Sequence, residues 1–251
     1  MLFKHSAYLH YPITTPQSFR MEKMYRDIRR AITDRDYNQL ENIPLIKPAK
    51  FNWVTEVFEN INIHDHGDVA ALIWTDGRQE QRFTFADMGG LCNRFLNFLR
   101  AKGVAQHDIL FMQLPVLPVS WLAHLVAIKG GFRLIPSATI LGVHDIVYRF
   151  SKLLPKVVIA DMENAAKIDE AETISGKPIT LKILLNGIKP GWTSFDEIYN
   201  YPDQAQAADT NADDPLFLFF TSGTTGMPKV VTHTHFSYPV GHLTTAAWAG
   251  R

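Results

Sequence analysis

Nine consecutive residues, Thr221-Ser222-Gly223-Thr224-Thr225-Gly226-Met227-Pro228-Lys229, hold three threonines, a serine, two glycines and a lysine. They follow an apolar run, Leu216 to Phe220, that reads as a strand. Gly223 and Gly226 permit positive φ and a close backbone approach to a ligand. Successive N–H groups in such a turn form an anion-binding concavity. The hydroxyls of Thr221, Ser222, Thr224 and Thr225 add donors, Pro228 stiffens the turn, and Lys229 adds a mobile point charge suited to phosphate. The combination suits a polyphosphate. It is not a Walker A loop, because no segment supplies G-x-x-x-x-G-K-[ST], and no G-x-G-x-x-G marks a dinucleotide fold.

The elements that must position this loop are legible upstream. Short apolar runs at Val69–Trp74, Ile109–Leu114, Phe132–Pro136, Val157–Ala160, Leu181–Leu185 and Leu216–Phe220 predict buried strands, with a further strand at Glu80–Phe83. Helical spacing predicts helices over Pro118–Lys129, Val143–Leu153 and Met162–Ala171. Thr84 with Asp87 reads as a helix start, Met88, Leu91, Cys92, Phe95, Leu96 and Leu99 as its apolar face, and Gly103 as its stop. Strands alternating with helices predict an α/β fold with a largely parallel sheet and flanking helices, whose ligands bind beyond the carboxyl ends of the strands. Residues 1–50 read as an N-terminal helical extension, with a helix at Met21–Ile32; residues 51–251 read as the main unit, with a helix at Phe51–Asn60.

The string Phe220 to Lys229 resembles the phosphate-binding signature of the adenylate-forming superfamily, which comprises acyl-CoA synthetases, luciferases and peptide-synthetase adenylation domains. The resemblance extends over about residues 51–250. Phe51-Asn52, Phe83-Thr84-Phe85 with Asp87, Asp145 to Arg149 and Tyr238 to His242 resemble the acetyl-CoA and medium-chain acyl-CoA synthetase branch. The resemblance implies a ligase that joins a small carboxylic acid to ATP, giving an acyl-adenylate and pyrophosphate, and then transfers the acyl group to coenzyme A. It implies that residues 221–229 cradle the phosphates, that Lys229 supplies charge rather than acting as a base, and that Mg²⁺ is held mostly by phosphate and water. The family's aromatic-Gly-x-Thr-Glu motif, ribose aspartate, hinge and C-terminal domain are not recognisable here. The chain is therefore expected to be an incomplete N-terminal adenylation domain, inactive alone. A non-catalytic nucleotide-binding or interaction module, and an adenylate-forming enzyme that does not use coenzyme A, remain as alternatives. Relatives in this branch often carry Gln or Lys between the strand and the Asp-Ile-x-Tyr-Arg helix, where coenzyme A makes contact; Thr139 to Val143 has neither.

Composition narrows the classes. The 251 residues carry 25 Lys plus Arg against 25 Asp plus Glu, which disfavours a nucleic-acid binder. The single cysteine, Cys92, excludes a disulfide framework and a cysteine-built zinc site, and it reads as a buried inert thiol. No apolar stretch reaches the roughly 20 residues of a membrane span, and no secretory leader is visible, so a cytoplasmic protein is expected. His64-Asp65-His66 with Asp68 reads as a polar turn rather than a metal site. His233 and His235 read as sharing one strand face without a third ligand, so no metal residue is assigned. Trp53, Trp74 and Trp121 read as core, Asp145 with Arg149 as a surface ion pair, and Arg26, Arg29, Arg30 and Arg35 as a solvated face interleaved with acids. Surface exposed where the chain stops is expected to favour self-association.

Overall fold

A computed structural model describes residues 16–44, 46–223 and 226–249. Its centre is a seven-stranded sheet in the order β7-β6-β5-β3-β4-β8-β9. The strands are β3 (Ile109–Gln113), β4 (Arg133–Ser137), β5 (Val157–Asp161), β6 (Leu181–Leu185), β7 (Thr193–Ser194), β8 (Pro215–Gly223) and β9 (Gly226–Thr234). All neighbours pair in parallel except β8 and β9, which form an antiparallel hairpin.

Every residue of β3 is buried, so its side chains divide by pleat rather than by polarity. Leu110 and Met112 join the core under α4 (Phe85–Ala101) and α5 (Pro118–Gly130). Ile109 and Phe111 join the core under α6 (Val143–Lys152) and α7 (Met162–Ser175). The molecule is thus helices, sheet, helices, as the alternation of strands and helices predicts.

Local signals set the helix ends. The Asp87 N–H donates to Thr84 Oγ1 (3.0 Å) and the Thr84 N–H to Asp87 Oδ2 (2.9 Å), a complete capping box. Pro118 opens α5, and Gly131 closes it in the left-handed region at φ 65°. The Asn52 amide donates to the carbonyl of Ile128 (2.9 Å), giving the end of α5 a partner. Lys129 of α5 is buried and satisfied by Glu59 Oε1 and Asn93 Oδ1, each at 2.5 Å.

Four expectations change. Residues 70–75 form β1 (Ala70–Thr75), paired antiparallel with β2 (Glu80–Thr84) in a sheet of their own. Ile73 there is 50% exposed, so the run is not a buried strand, because a two-stranded ribbon covers only one face. The helix expected at Phe51–Asn60 is a π-helical segment, Val54–Ile63. Its buried Val54, Val57, Phe58 and Ile61 follow a spacing that an α-helix satisfies equally, so spacing carries no mark of the wider turn. The His64–His66 turn is helical, α3, with the Asp65 carboxylate taken up by Arg26 at 2.5 Å. At the N-terminal side, α1 (Pro16–Asp34) is longer than Met21–Ile32, and α2 (Tyr37–Asn42) follows. Met24 and Ile28 of α1 form a third small core with Phe51 and Ala212.

Candidate functional site

The Thr/Gly/Lys motif is not an open loop. Residues 221–223 continue β8 and residues 226–229 begin β9. Leu216, Phe217 and Leu218 are buried, so β8 is anchored at its start and emerges toward its carboxyl end, where Thr221 is exposed. The ladder sets Phe220 against Val230, Thr221 against Lys229 and Gly223 against Gly226, with a register shift between Thr221 and Gly223. Directly paired residues share one face of an antiparallel ladder, with Cα atoms about 4.5–5.5 Å apart. Strand pairing therefore sets the Thr221 and Lys229 side chains on one face of the hairpin. Gly226 has φ 142°, in the region that favours glycine. Lys229, Met227 and Gly226 are exposed and Pro228 is half-buried. Among the described residues Lys229 makes no ion pair. The backbone of Ser222 and Gly223 lies within β8, while Thr224 and Thr225 lie outside the described residues.

The hairpin stands at the carboxyl ends of the parallel strands, the side on which such sheets bind ligands. Leu134 of β4 pairs with Phe217, so the residues after Ser137 run beside the emerging motif. Two side chains from elsewhere hold that stretch. The Gln113 amide, fully buried, donates to the carbonyls of Ala138 (3.2 Å) and Leu141 (3.3 Å). The Lys167 ammonium donates to the Thr139 carbonyl (2.9 Å). Side chains from outside residues 139–143 thus hold this stretch in place, which no local reading finds.

Helix α6 also departs from expectation. Asp145 and Arg149 form no ion pair: the Asp145 carboxylate accepts from the Gly142 N–H (3.2 Å), while Arg149 donates to the Asp145 carbonyl (2.9 Å). Arg149 is buried, with its guanidinium 5.0 Å from the Phe220 ring centroid. Desolvation lowers its pKa, opposed by Asp145. A guanidinium stays charged even so.

Beside the hairpin, between α5 and α8 (Ser237–Ala249), lies a cleft of about 770 Å³ floored by Phe217 and walled by Leu114, Trp121, His124, Tyr238 and His242. Trp121 is 41% exposed and lines this cleft instead of the core. His124 Nδ1 lies 2.7 Å from the Ser120 carbonyl, which can only accept, so that nitrogen carries the proton. Burial first, and His242 in addition, lower its pKa. A second hollow of about 510 Å³, beside α1, is lined by charges such as Arg26 and Asp65 that neutralise each other.

His233 and His235 do not share a strand. His233 is the last but one residue of β9, packed against Phe219 and Tyr238 with centroids 5.7 Å away in each case. His235 lies beyond the strand, fully buried, and burial pushes it down to about 4. Cys92 is buried, and desolvation pushes its thiol up to about 12. Among the described residues no three His, Cys, Asp or Glu side chains are grouped to hold a metal ion, and no helix is long and apolar enough to cross a membrane.

The family model for AMP-binding enzymes matches residues 60–249. The chain belongs to the AMP-binding enzyme family. It is similar to 4-hydroxybutyrate–CoA ligase 1 of Metallosphaera sedula, with 39% identity over 203 residues, 80% of this chain and 35% of that protein. It is also similar to the mitochondrial acyl-coenzyme A synthetase ACSM3 of Mus musculus, with 31% identity over 88% of this chain and 40% of that protein. The structure of the anthranilate CoA ligase AuaEII in complex with anthranoyl-AMP aligns with a TM-score of 0.68 and 26% identity, over 77% of this chain and 36% of that one. This AMP-binding chain thus spans 35 to 40% of the length of these curated relatives and covers part of an acyl-CoA ligase.

Proposed function

We propose that this chain is the phosphate-holding portion of an AMP-forming acyl-CoA ligase, with its residue-50 boundary separating a helical extension from the adenylation unit. The observation that carries the reading is Lys229 set directly opposite Thr221 on a hairpin at the carboxyl ends of a parallel sheet. In the first half-reaction a carboxylate oxygen attacks the α-phosphorus of ATP and pyrophosphate leaves with the bonding pair. In the second, the coenzyme A sulfur attacks the acyl carbon, AMP leaves, and the thiol proton is released. Both steps bring anions together, so positioning and fixed positive charge dominate. Residues Thr221, Ser222, Gly223, Thr224, Thr225, Gly226, Met227, Pro228 and Lys229 hold the β- and γ-phosphates, and Lys229 neutralises charge on the leaving pyrophosphate. Mg²⁺ enters on the triphosphate, held by phosphate oxygens and water. The hydrocarbon part of the acid reaches the neighbouring apolar cleft. A second reading is a nucleotide-binding module without turnover. An adenylate-forming enzyme with another acceptor is a third.

Acylation of the Lys229 amine by an activated ester, with and without MgATP, tests the reading on this chain. MgATP is expected to slow modification of Lys229 while leaving Lys177 unaffected. Carboxylate-dependent ATP–pyrophosphate exchange and acyl-CoA formation by the 251 residues alone are expected to be undetectable. Equal modification rates with and without MgATP would sink the phosphate assignment. Exchange that vanishes in Lys229→Ala would show that these residues suffice for adenylation.

A further inference from the structure

Helix α6 touches both strands of the hairpin within one turn. The Tyr148 hydroxyl donates to the carbonyl of Pro228 (2.9 Å), the residue immediately before Lys229. The Tyr148 ring meets Phe220 edge-on, with centroids 6.4 Å apart. Arg149 lies over that same Phe220, the residue immediately before Thr221. The two side chains therefore bracket the motif, one at its entry on β8 and one just ahead of its lysine on β9.

The two strands need this to different degrees. β8 is paired on both sides, by β4 and β9, and begins in the core. β9 ends the order of the described sheet, and its Met227, Val230 and Val231 are 61%, 39% and 41% exposed. A strand that buries so little is held by its ladder and by whatever else grips it. Tyr148 supplies that grip from a rigid base. Ile146 and Phe150 on the same helix are fully buried, and Phe150 packs edge-on against Phe111 of β3 at 5.2 Å. Lys152 Nζ lies 5.5 Å from the Tyr148 ring centroid, so the phenol is confined from its outer side too.

We propose that Tyr148 is a positioning residue that fixes the Pro228 carbonyl and so sets where Lys229 stands opposite Thr221, with Arg149 steadying the entry strand through Phe220. The proposal rests on the hairpin's reading as a phosphate site, and it requires neither residue to touch the nucleotide. Tyr148→Phe removes one oxygen atom and keeps the ring on Phe220. It frees the Pro228 carbonyl without opening a cavity, so the hairpin loosens and the fold does not.

The test compares the 251-residue chain with its Tyr148→Phe variant. Amide hydrogen exchange is expected to be about five- to tenfold faster over residues 226–234, the change one lost hydrogen bond produces, and unchanged over Phe85–Ala101 of α4. The concentration of MgATP that half-protects Lys229 from acylation is expected to rise by about three- to tenfold, with helix content unaltered. Equal exchange over residues 226–234 in the two proteins overturns the proposal. So does faster exchange throughout the chain, because it would make Tyr148 a general packing residue. Failure of MgATP to protect Lys229 in the unmutated chain would overturn the phosphate reading instead, and the exchange comparison would still decide whether Tyr148 holds the hairpin.

Discussion

His235 and Glu56 are both taken out of water without a hydrogen-bonded counter-charge, and they pull stability in opposite directions with pH. Burial pushes Glu56 up to about 7, against a weaker downward effect of the Asn52 N–H. Above its ordinary value the unfolded chain gives up a proton that the folded chain keeps, so stability falls as pH rises from about 4.5 to 7. Burial pushes His235 down to about 4, with Asp214 opposing and His107 adding to the shift. Below about 6.5 the unfolded chain takes a proton that the folded chain refuses, so stability falls as pH drops toward 4. Each shift corresponds to about 3 kcal/mol, and they overlap between about pH 4.5 and 6.5, leaving a shallow profile for the unmutated chain. Glu56→Gln is expected to leave stability rising with pH across that window, and His235→Leu to leave it falling. Urea unfolding at three pH values checks this, and parallel profiles for all three proteins would refute it. Neither group was visible as titratable trouble in the sequence. Glu56 sits among ordinary helix-forming neighbours, and His235 was paired by spacing with His233, from which the strand end separates it.

Elements whose cause is local were legible and those whose cause is distant were not. The start of α4 followed from Thr84 and Asp87 alone, and both reciprocal hydrogen bonds are present. Thr84→Ala is expected to cost about 1 kcal/mol, read as a melting temperature lower by about 2–4 °C in calorimetry. An unchanged melting temperature would mean that water replaces the cap without loss. The parallel strands β3 to β6 were legible because strands buried on both faces carry near-continuous apolar runs. The membership of β1 was not, since its apolar run meets β2 rather than the main sheet. The site divides in the same way. The motif's residue types announced an anion site, but its hairpin form depends on the antiparallel pairing of β9 with β8, which no local residue pattern states. The grip of α6, Gln113 and Lys167 depends on contacts across the fold. Tyr148 and Pro228, 80 positions apart, meet because β8 pairs beside β4 and the helix that follows β4 lies against the hairpin, and nothing in either's neighbourhood announces it.

At the scale of the molecule the outer edge of β9 is the place where a second chain would pair. Among the described residues no strand pairs with it. It is nine residues long, longer than any of the parallel strands β3 to β6, with Met227, Val230 and Val231 exposed along it. Edges of this kind template pairing with another chain unless charge, proline or a bulge blunts them. Pro228 and Lys229 blunt the first half, which leaves Val230 to Thr234 as the stretch able to pair. Two copies joining there in antiparallel fashion would bury both edges at once and satisfy two-fold symmetry. The chain is therefore expected to associate as concentration rises, with Val231→Lys shifting it toward monomer at unchanged helix content. Light scattering across a concentration series reads both. A monomer that persists at the highest concentration in the unmutated chain would show that the ladder to β8 and the charge of Lys229 already protect this edge. The burial that holds β9 would then have to come from the hairpin itself and from Tyr148.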